Sequence, residues 1–166
     1  MTPPLATQCV PAIAAAGALT PPEHQELFLH AARNVLDAGR EARFLLGGDG
    51  PAEHRLRREA HRLNLDHHLT FVTDLLSYRP VIAAADVFVR PAVSGLCGYA
   101  VLDAMALGRP VVACESDGVR EWMEEGCRGI VIAPPTPEGL SAEILALLDH
   151  PAEARRVGAA GHAFVT

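Results

Sequence analysis

Residues 89–112 read VRPAVSGLCGYAVLDAMALGRPVV, and this stretch says most about how the chain folds. Its first residues are typical of a buried strand, Gly95 and Gly98 of a turn, and the apolar run after them of a helix. Gly108 and Pro110 mark the end of that helix, and a second apolar strand follows. The stretch therefore predicts strand, glycine turn, buried helix and strand, which is an α/β arrangement.

The turn and the start of this helix form a candidate anion site. Gly95 and Gly98 let backbone come close to a ligand, and a helix start presents unpaired N–H groups that favour a phosphate. The helix is apolar from Tyr99 to Leu107 except for Asp103, so we expect it to be covered on both sides. Asp103 lies one turn after Tyr99, where it could meet a ligand hydroxyl. Ordinary turn glycines, with Asp103 bonded to a neighbouring loop, are the alternative interpretation.

Composition restricts the classes of function. The chain has 166 residues, 49% of them hydrophobic, which suits a single domain spanning residues 1–166 with a substantial core. A formal net charge of −6 argues against a nucleic-acid partner. No run approaches the roughly 20 apolar residues of a membrane span. Residues 1–10 predict an irregular N-terminal segment without the features of a signal peptide, so we expect a cytoplasmic protein.

Basic and metal-ligating residues give no site of their own. All 14 basic residues are arginine, and the cluster within residues 55–62 is interleaved with carboxylates, as in a solvated helix face. The cysteines lack metal-ligand spacing and predict buried free thiols; they are Cys9, Cys97, Cys114 and Cys127. His67 and His68 have no partner at ligand spacing. We therefore expect no metal site and no cofactor, and no residue is singled out as catalytic.

Short apolar runs alternate with amphipathic segments along the whole chain. Strands are predicted at residues 12–16, 42–46, 69–72, 87–90, 111–113 and 129–132. Helices are predicted at residues 23–36, 52–63, 77–84, 98–107, 119–125, 137–148 and 152–164. This alternation predicts a doubly wound, Rossmann-like, six-stranded parallel sheet with helices on both faces. Ligands of such sheets bind beyond the carboxyl ends of the strands, where the turns at 47–51 and 94–98 should both open.

Five motifs, in this order, resemble the C-terminal, donor-binding domain of glycosyltransferase family 4, which is one half of a GT-B fold. They are FLLGGDGP (44–51), LTFVT (69–73), AADVFV (84–89), LDAMALGRPVV (102–112) and DGVRE (117–121). Complete members of that family transfer a sugar from a nucleotide donor to an acceptor, with retention at the anomeric carbon. The resemblance implies a nucleotide-sugar partner of UDP, GDP or ADP type, and a missing N-terminal GT-B domain in the same or a partner chain.

The resemblance also implies which residues bind the donor. They are Gly48, Val72, Thr73, Ser94, Gly95, Leu96, Cys97, Gly98, Tyr99 and Asp103. In the family, backbone N–H groups meet the diphosphate, the loop of Val72 and Thr73 borders the base, and the position of Asp103 takes the ribose. Val72 and Thr73 could equally form a structural loop, and Tyr99 could bind phosphate or merely pack.

This sequence departs from the family pattern where the chemistry takes place. The two glutamates of the family fall on Gly95 and Asp103, and its arginine and lysine fall on Ala18 and Glu23. A carboxylate at the lysine position repels a diphosphate by roughly 1 kcal/mol or more at close range. We therefore expect transfer to be slow or absent, and the chain to be inactive alone.

Three functions remain open at this stage. The first is the donor-binding domain of a retaining glycosyltransferase of the hexosyltransferase type. The second is a degenerate, non-catalytic relative that binds a partner protein or a regulatory nucleotide. The third is a related GT-B enzyme such as a nucleotide-sugar epimerase, which the run at 102–110 matches less well.

Overall fold

A six-stranded, all-parallel sheet organises the protein, for which a computed structural model describes residues 9–74, 78–93, 98–123 and 128–166. The strands are β1 (Ala12–Ala16), β2 (Arg43–Gly47), β3 (Leu69–Val72), β4 (Val87–Arg90), β5 (Val111–Cys114) and β6 (Ile130–Ile132). Their order across the sheet is β3-β2-β1-β4-β5-β6. The predicted doubly wound fold is confirmed, and each strand lies within about one residue of its predicted bounds.

Seven α-helices flank the sheet within the described residues. They are α1 (Gln25–Asp37), α2 (Glu53–Arg62), α3 (Tyr78–Ala83), α4 (Tyr99–Ala106), α5 (Asp117–Trp122), α6 (Pro137–Asp149) and α7 (Pro151–Val165). No helix in this part of the chain has the length and apolarity that a membrane span requires.

The predicted helix bounds are wrong at two places, both because of local backbone conformation. The helix expected at 23–36 begins at Gln25, because His24 adopts a left-handed φ of 49° after a separate 3-10 turn at Pro21–Glu23. The helix expected at 119–125 begins at Asp117 and has ended by Met123, which is extended with φ −104° and ψ 111°.

Two apolar layers sandwich the sheet, as alternation along a strand requires. In β1, Ile13 and Ala15 belong to the layer beneath α1 and α6, and Ala14 belongs to the layer beneath α3 and α4. The first layer contains an edge-to-face pair of Phe28 and Phe44, with ring centroids 6.0 Å apart. Both layers are tightly buried, so the sheet is a rigid platform for the loops at its edges.

Coverage of α4 is less complete than the sequence suggested. Val101, Ala104 and Met105 are buried, but Tyr99 is 83% exposed and Leu107 is 38% exposed. Among the described elements, α3, α7 and the sheet make the main contacts with this helix. The expectation that α4 is covered on both sides is therefore wrong.

Strand order places a crevice between β1 and β4. The chain leaves β1 toward β2 and leaves β4 toward β5, so the two connections diverge to opposite sides of the sheet. The strands pair in parallel, with Ala15 beside Val89, so their carboxyl ends lie at the same edge. This edge, the carboxyl edge, is where the fold favours a ligand.

Candidate functional site

A cavity of about 350 Å³ lies at the carboxyl edge, over the β1–β4 crevice. We call it the switch-point cavity. Its walls come from the loop after β1, the turn after β2, the end of β4, and the starts of α3 and α4. The lining residues are Ala16, Gly17, Ala18, Glu23, Gly48, Tyr78, Phe88, Arg90, Gly98, Tyr99, Ala100 and Val101.

Two loop backbones meet directly on one wall of this cavity. Gly48 has a φ of 132°, and a Cβ built on it would overlap the carbonyl oxygen of Gly17. Gly17 N donates to Gly47 O at 3.0 Å, and Gly48 N donates to Val72 O at 2.9 Å. The glycine at position 48 is thus required for close approach of the two loops, and it adds no side chain of its own to the wall.

The first turn of α4 forms the facing wall. Gly98 precedes the helix in an extended conformation, and α4 has no side-chain cap. A Cβ on Gly98 would meet no described atom within 4 Å. By contrast, α6 is capped by Thr136 Oγ1, which accepts from Gly139 N at 3.0 Å. The first-turn amides of α4 are therefore placed to donate hydrogen bonds to an anion.

A buried cation lies at the floor of the cavity. Arg90, at the end of β4, is only 8% exposed, and its Nη1 donates to Ala92 O at 2.9 Å and to Ser116 Oγ at 3.3 Å. Sequence reasoning missed this residue. An arginine that closes a strand predicted to be buried on both faces is a charge in an apolar place, and that feature could have identified it.

Ala18 and Glu23 both line the cavity, at the positions where the sequence lacked the expected basic pair. The Glu23 carboxylate is partly buried, and its Oε2 lies 3.6 Å from where a Cβ on Gly17 would stand. Among the described residues, the cavity therefore carries one acidic and one basic side chain, rather than the two cations of the family pattern.

Asp103 is held by two side chains of α3. Tyr78 Oη donates a hydrogen bond to Asp103 Oδ2, and Arg79 Nε lies 3.6 Å from Oδ1. The hydrogen bond to Asp103 is the largest cause that raises the pKa of Tyr78, with burial and the carboxylate charge adding to it. Asp103 is 23% exposed and does not itself line the described cavity, but Tyr78 does. Tyr78 thus connects the Asp103 carboxylate to the cavity.

The structure brings together some of the predicted site residues. Gly48, Gly98 and Tyr99 line the switch-point cavity. Val72 and Thr73 do not line it in the described part of the chain; Val72 packs in the layer beneath α3 and α4. Ser94, Gly95, Leu96 and Cys97 lie outside the described residues.

The two described cysteines differ in burial. Cys114, at the end of β5, is fully buried, and burial raises the pKa of its thiol to about 11 against the opposing effect of the Arg90 charge. Cys9 is exposed, so the prediction of a buried thiol is wrong there. Cys9 lies before the first strand, outside the apolar core. Cys97 and Cys127 lie outside the described residues.

A larger cavity, about 880 Å³, opens at the opposite edge, beside the amino ends of β1, β2, β4 and β5. Two of its acidic groups bind protein: Asp86 Oδ2 accepts from Ala12 N at 2.8 Å, and Arg40 Nη1 lies 2.8 Å from Asp149 Oδ1. We call it the amino-edge cavity.

Comparison with known proteins agrees with this architecture. A mannosyltransferase of Corynebacterium glutamicum, the GDP-mannose-dependent monoacylated alpha-(1-6)-phosphatidylinositol monomannoside mannosyltransferase, is 34% identical over 170 residues, covering 96% of this chain and 43% of that protein. The alpha-D-kanosaminyltransferase of Streptomyces kanamyceticus is 32% identical over 130 residues, covering 76% of this chain and 33% of that protein. The chain thus spans less than half the length of these relatives.

Solved structures share the fold. HepE of Anabaena, in complex with UDP and glucose, superposes with a TM-score of 0.85 at 20% identity, over 94% of this chain and 43% of that chain. The C-terminal domain of LpcC, a glycosyl transferase group 1 family protein from Francisella tularensis, superposes with a TM-score of 0.82 at 18% identity, over 94% of this chain and 86% of that chain. Residues 10–150 match the family described as glycosyl transferases group 1, and the chain belongs to that family.

Proposed function

We propose that this chain is the donor-binding domain of a retaining glycosyltransferase, and that it takes a nucleotide-sugar of UDP, GDP or ADP type into the switch-point cavity. The observation that carries this proposal is the cavity itself: it lies at the β1–β4 switch point, and its walls are glycine backbone and an uncapped helix start. That combination suits a diphosphate, which needs N–H donors and close backbone approach.

The diphosphate would lie between α4 and the floor of the cavity. The first-turn amides at Tyr99 and Ala100 point a partial positive charge into this space, and Arg90 adds a full charge from below. Arg90 is a single cation, whereas the family pattern has two cations at positions 18 and 23. It therefore compensates the negative charge of the diphosphate leaving group from one side only. Charge compensation of this kind is the largest contribution to catalysis by such a site.

The nucleoside would extend toward α3. Asp103 and Tyr78 together offer a carboxylate and a hydroxyl for the ribose hydroxyls, and ribose would compete with Tyr78 for Asp103 Oδ2. We propose that Val72 and Thr73 border the base and that Ser94, Gly95, Leu96 and Cys97 complete the phosphate loop. The amino acid at position 95 has no carboxylate with which to hold the sugar.

The acceptor half of the active site would come from an N-terminal GT-B domain, in the same chain or a partner chain. Tyr99, 83% exposed beside the cavity mouth, lies where such a domain would cover the donor. We expect no transfer by these 166 residues alone. A nucleotide-sugar donor also favours a cytoplasmic location, which stays a prediction.

A second candidate function is a non-catalytic domain that binds a nucleotide or a protein without transferring sugar. The presence of Ala18 and Glu23 in the cavity favours it, because they give the diphosphate no cation from this wall. The two candidates differ in whether the cavity still has useful affinity for a nucleotide.

Calorimetric titration with UDP, GDP and ADP tests the proposal. We expect one nucleotide to bind, and Asp103→Ala to weaken it about tenfold, or about 1.4 kcal/mol. Asp149→Ala is the matched control, because its carboxylate is 54% exposed and paired with Arg40 at the other edge. No binding of any nucleotide at millimolar concentration would contradict the donor-binding function and leave the protein-binding alternative.

A further inference from the structure

We infer that the Tyr78 hydroxyl, rather than the Asp103 carboxylate, is the group that binds a ribose hydroxyl in the switch-point cavity, and that Asp103 is a positioning residue acting through it. The inference rests on the proposed function, because it names the specificity-determining residue at the ribose end of that site. It departs from the family pattern, in which the carboxylate that falls on position 103 takes the ribose directly.

Tyr78 and Asp103 differ in how they meet the cavity. Tyr78, the first residue of α3, is partly buried and lines the cavity. Asp103 lies in the middle of α4, is 23% exposed, and is not among the described residues that line it. An aspartate side chain is also one methylene shorter than the glutamate of the family pattern, so its carboxylate stays closer to its own helix. A ligand in the cavity therefore meets Tyr78, and Tyr78 Oη in turn donates to Asp103 Oδ2.

Two successive residues of α3 hold both oxygens of this carboxylate. Besides Tyr78 at Oδ2, Arg79 Nε lies 3.6 Å from Oδ1. A phenol is a more acidic hydroxyl than the alcohol of a sugar, so it gives a carboxylate the stronger hydrogen bond. A ribose hydroxyl that displaced Tyr78 would exchange a stronger bond for a weaker one. We therefore expect Tyr78 to keep Asp103 Oδ2 in the competition with ribose.

The Tyr78 oxygen retains lone pairs with which it can accept a hydrogen bond from a ligand. Its donation to the carboxylate polarises the phenol, and hydrogen bonds in such a chain strengthen one another. The bond to Asp103 is also the largest cause that raises the pKa of Tyr78, so the hydroxyl stays protonated near neutral pH and remains the donor to Asp103. Ribose can donate a hydroxyl to the phenol oxygen, whereas a sugar without those hydroxyls cannot. Tyr78 thus selects for ribose.

Calorimetry with UDP, GDP and ADP, each compared with its 2′,3′-dideoxy analogue, tests the contact. For the nucleotide that binds, we expect Tyr78→Phe to weaken affinity about tenfold, because one hydrogen bond is lost. The same variant should weaken binding of the dideoxy analogue less than about twofold. The matched control is Ser141→Ala, which removes another partly buried hydroxyl hydrogen bond, from Ser141 Oγ to Glu138 O at 3.0 Å on α6. It should change neither affinity.

Two further measurements separate positioning by Asp103 from direct contact with the ligand. Asp103→Ala should weaken nucleotide binding about tenfold in the unmodified chain and less than about twofold in Tyr78→Phe, because both changes remove the same interaction. In the nucleotide-free chain, ultraviolet titration follows the pKa of Tyr78 once Tyr99→Phe has removed the other of the two tyrosines. Asp103→Asn should lower that pKa toward its ordinary value, whereas Asp149→Asn at the amino edge should leave it unchanged.

The outcomes separate this inference from the function on which it rests. Nucleotide binding that is unchanged or tighter in Tyr78→Phe would overturn the inference, because the ligand would then displace the tyrosine. An equal loss with the dideoxy analogue would also overturn it and leave Tyr78 as a structural contact between α3 and α4. So would additive losses in the double variant, or a Tyr78 pKa that does not respond to Asp103→Asn. Absence of binding by every nucleotide in the unmodified chain would instead contradict the proposed function.

Discussion

The two edges of the sheet differ in a way that cavity size does not capture. The amino-edge cavity has more than twice the volume of the switch-point cavity, 880 Å³ against 350 Å³, and it is lined by charges of both signs. Several of its polar groups bind protein: Asp86 holds the first amide of β1, and Arg40 binds both Asp149 and the carbonyl of Leu148. Arg109 donates from Nη2 to Ala83 O, while its buried Nε has no hydrogen-bond partner in the described part of the chain. The cavity is a solvated junction between strands and the α6–α7 corner.

The carboxyl edge has the opposite character. There α4 has no side-chain cap at its start, glycine residues and apolar side chains form most of the lining, and Glu23 has no ion-pair partner among the described residues. A mostly apolar cavity with a few convergent polar groups, at the switch point of a parallel sheet, is the better indication of a ligand. The composition and the position of the lining, rather than volume, therefore favour the carboxyl edge as the candidate site.

The largest expected contrast concerns one glycine from each edge. Gly48→Ala should lower the free energy of unfolding by about 3 kcal/mol, because the new Cβ overlaps Gly17 O and φ is positive. Gly108→Ala, in the amino-edge cavity, has φ 68° but open space around its Cβ, so it should lose only about 1 kcal/mol. Urea unfolding of both variants checks this. Equal losses would mean that the two loops at the carboxyl edge are not in contact.

A second contrast uses pH and the two described cysteines. The pKa of the buried Cys114 thiol is raised from 9.0 to about 11, so the unfolded chain loses this proton before the folded chain does. The stability that the folded thiol contributes is complete below pH 9 and is lost as pH rises toward 11, by about 2 to 3 kcal/mol.

Urea midpoints measured across pH 9 to 11 test this contrast. Cys114→Ala should flatten the alkaline decline in stability, although Tyr78, whose pKa is also raised, leaves part of it. Cys9→Ala, which alters an exposed thiol of the amino-edge cavity, should leave the decline unchanged. An unchanged slope in Cys114→Ala would show that this thiol reaches solvent.

A third prediction adds a cap to the open helix start. Gly98→Asp should raise stability by a few tenths of a kcal/mol, because an aspartate caps first-turn amides, while it weakens nucleotide binding about tenfold by filling the anion site. Gly98→Asn is the neutral control, with equal capping and a smaller loss of affinity. Calorimetry and thermal unfolding measure the two effects separately. Unchanged nucleotide affinity in Gly98→Asp would place the phosphate elsewhere.

The smallest effect is expected at the amino edge. Arg40→Ala removes a pair whose side chains are 40% and 54% exposed, and it should lower stability by about 0.5 kcal/mol or less. It should leave nucleotide affinity unchanged. A loss of affinity comparable to that of Asp103→Ala would move the ligand to the amino-edge cavity and reverse the comparison.

Periodicity and glycine placement were enough to predict the sheet. The apolar runs at 12–16 and 87–90 gave the two strands that flank the crevice, and the glycines at 48 and 98 marked the loops around it. These features are local, because a buried parallel strand and a helix start each have their own short pattern. The sequence therefore predicted the two strands that flank the crevice and the glycine turns beside it.

Long-range pairing was beyond the reach of sequence patterns. Tyr78 and Asp103 are 25 residues apart, and only the packing of α3 on α4 brings them into contact. Arg90 is likewise held by Ser116, which lies 26 residues further along the chain, just after β5. These contacts of Asp103 and Arg90 follow from the order of the strands and helices in space, which short sequence patterns do not specify.

The most direct test is to map a nucleotide on the protein by NMR, titrating UDP, GDP and ADP into the ¹⁵N-labelled chain and following each backbone amide. We expect one nucleotide to cause its largest shifts at Gly48, Gly98, Tyr99 and Ala100, and none at Gly108 or Arg109 on the opposite edge. Shifts confined to the amino edge, or no shifts with any of the three nucleotides, would contradict a donor site at the switch point.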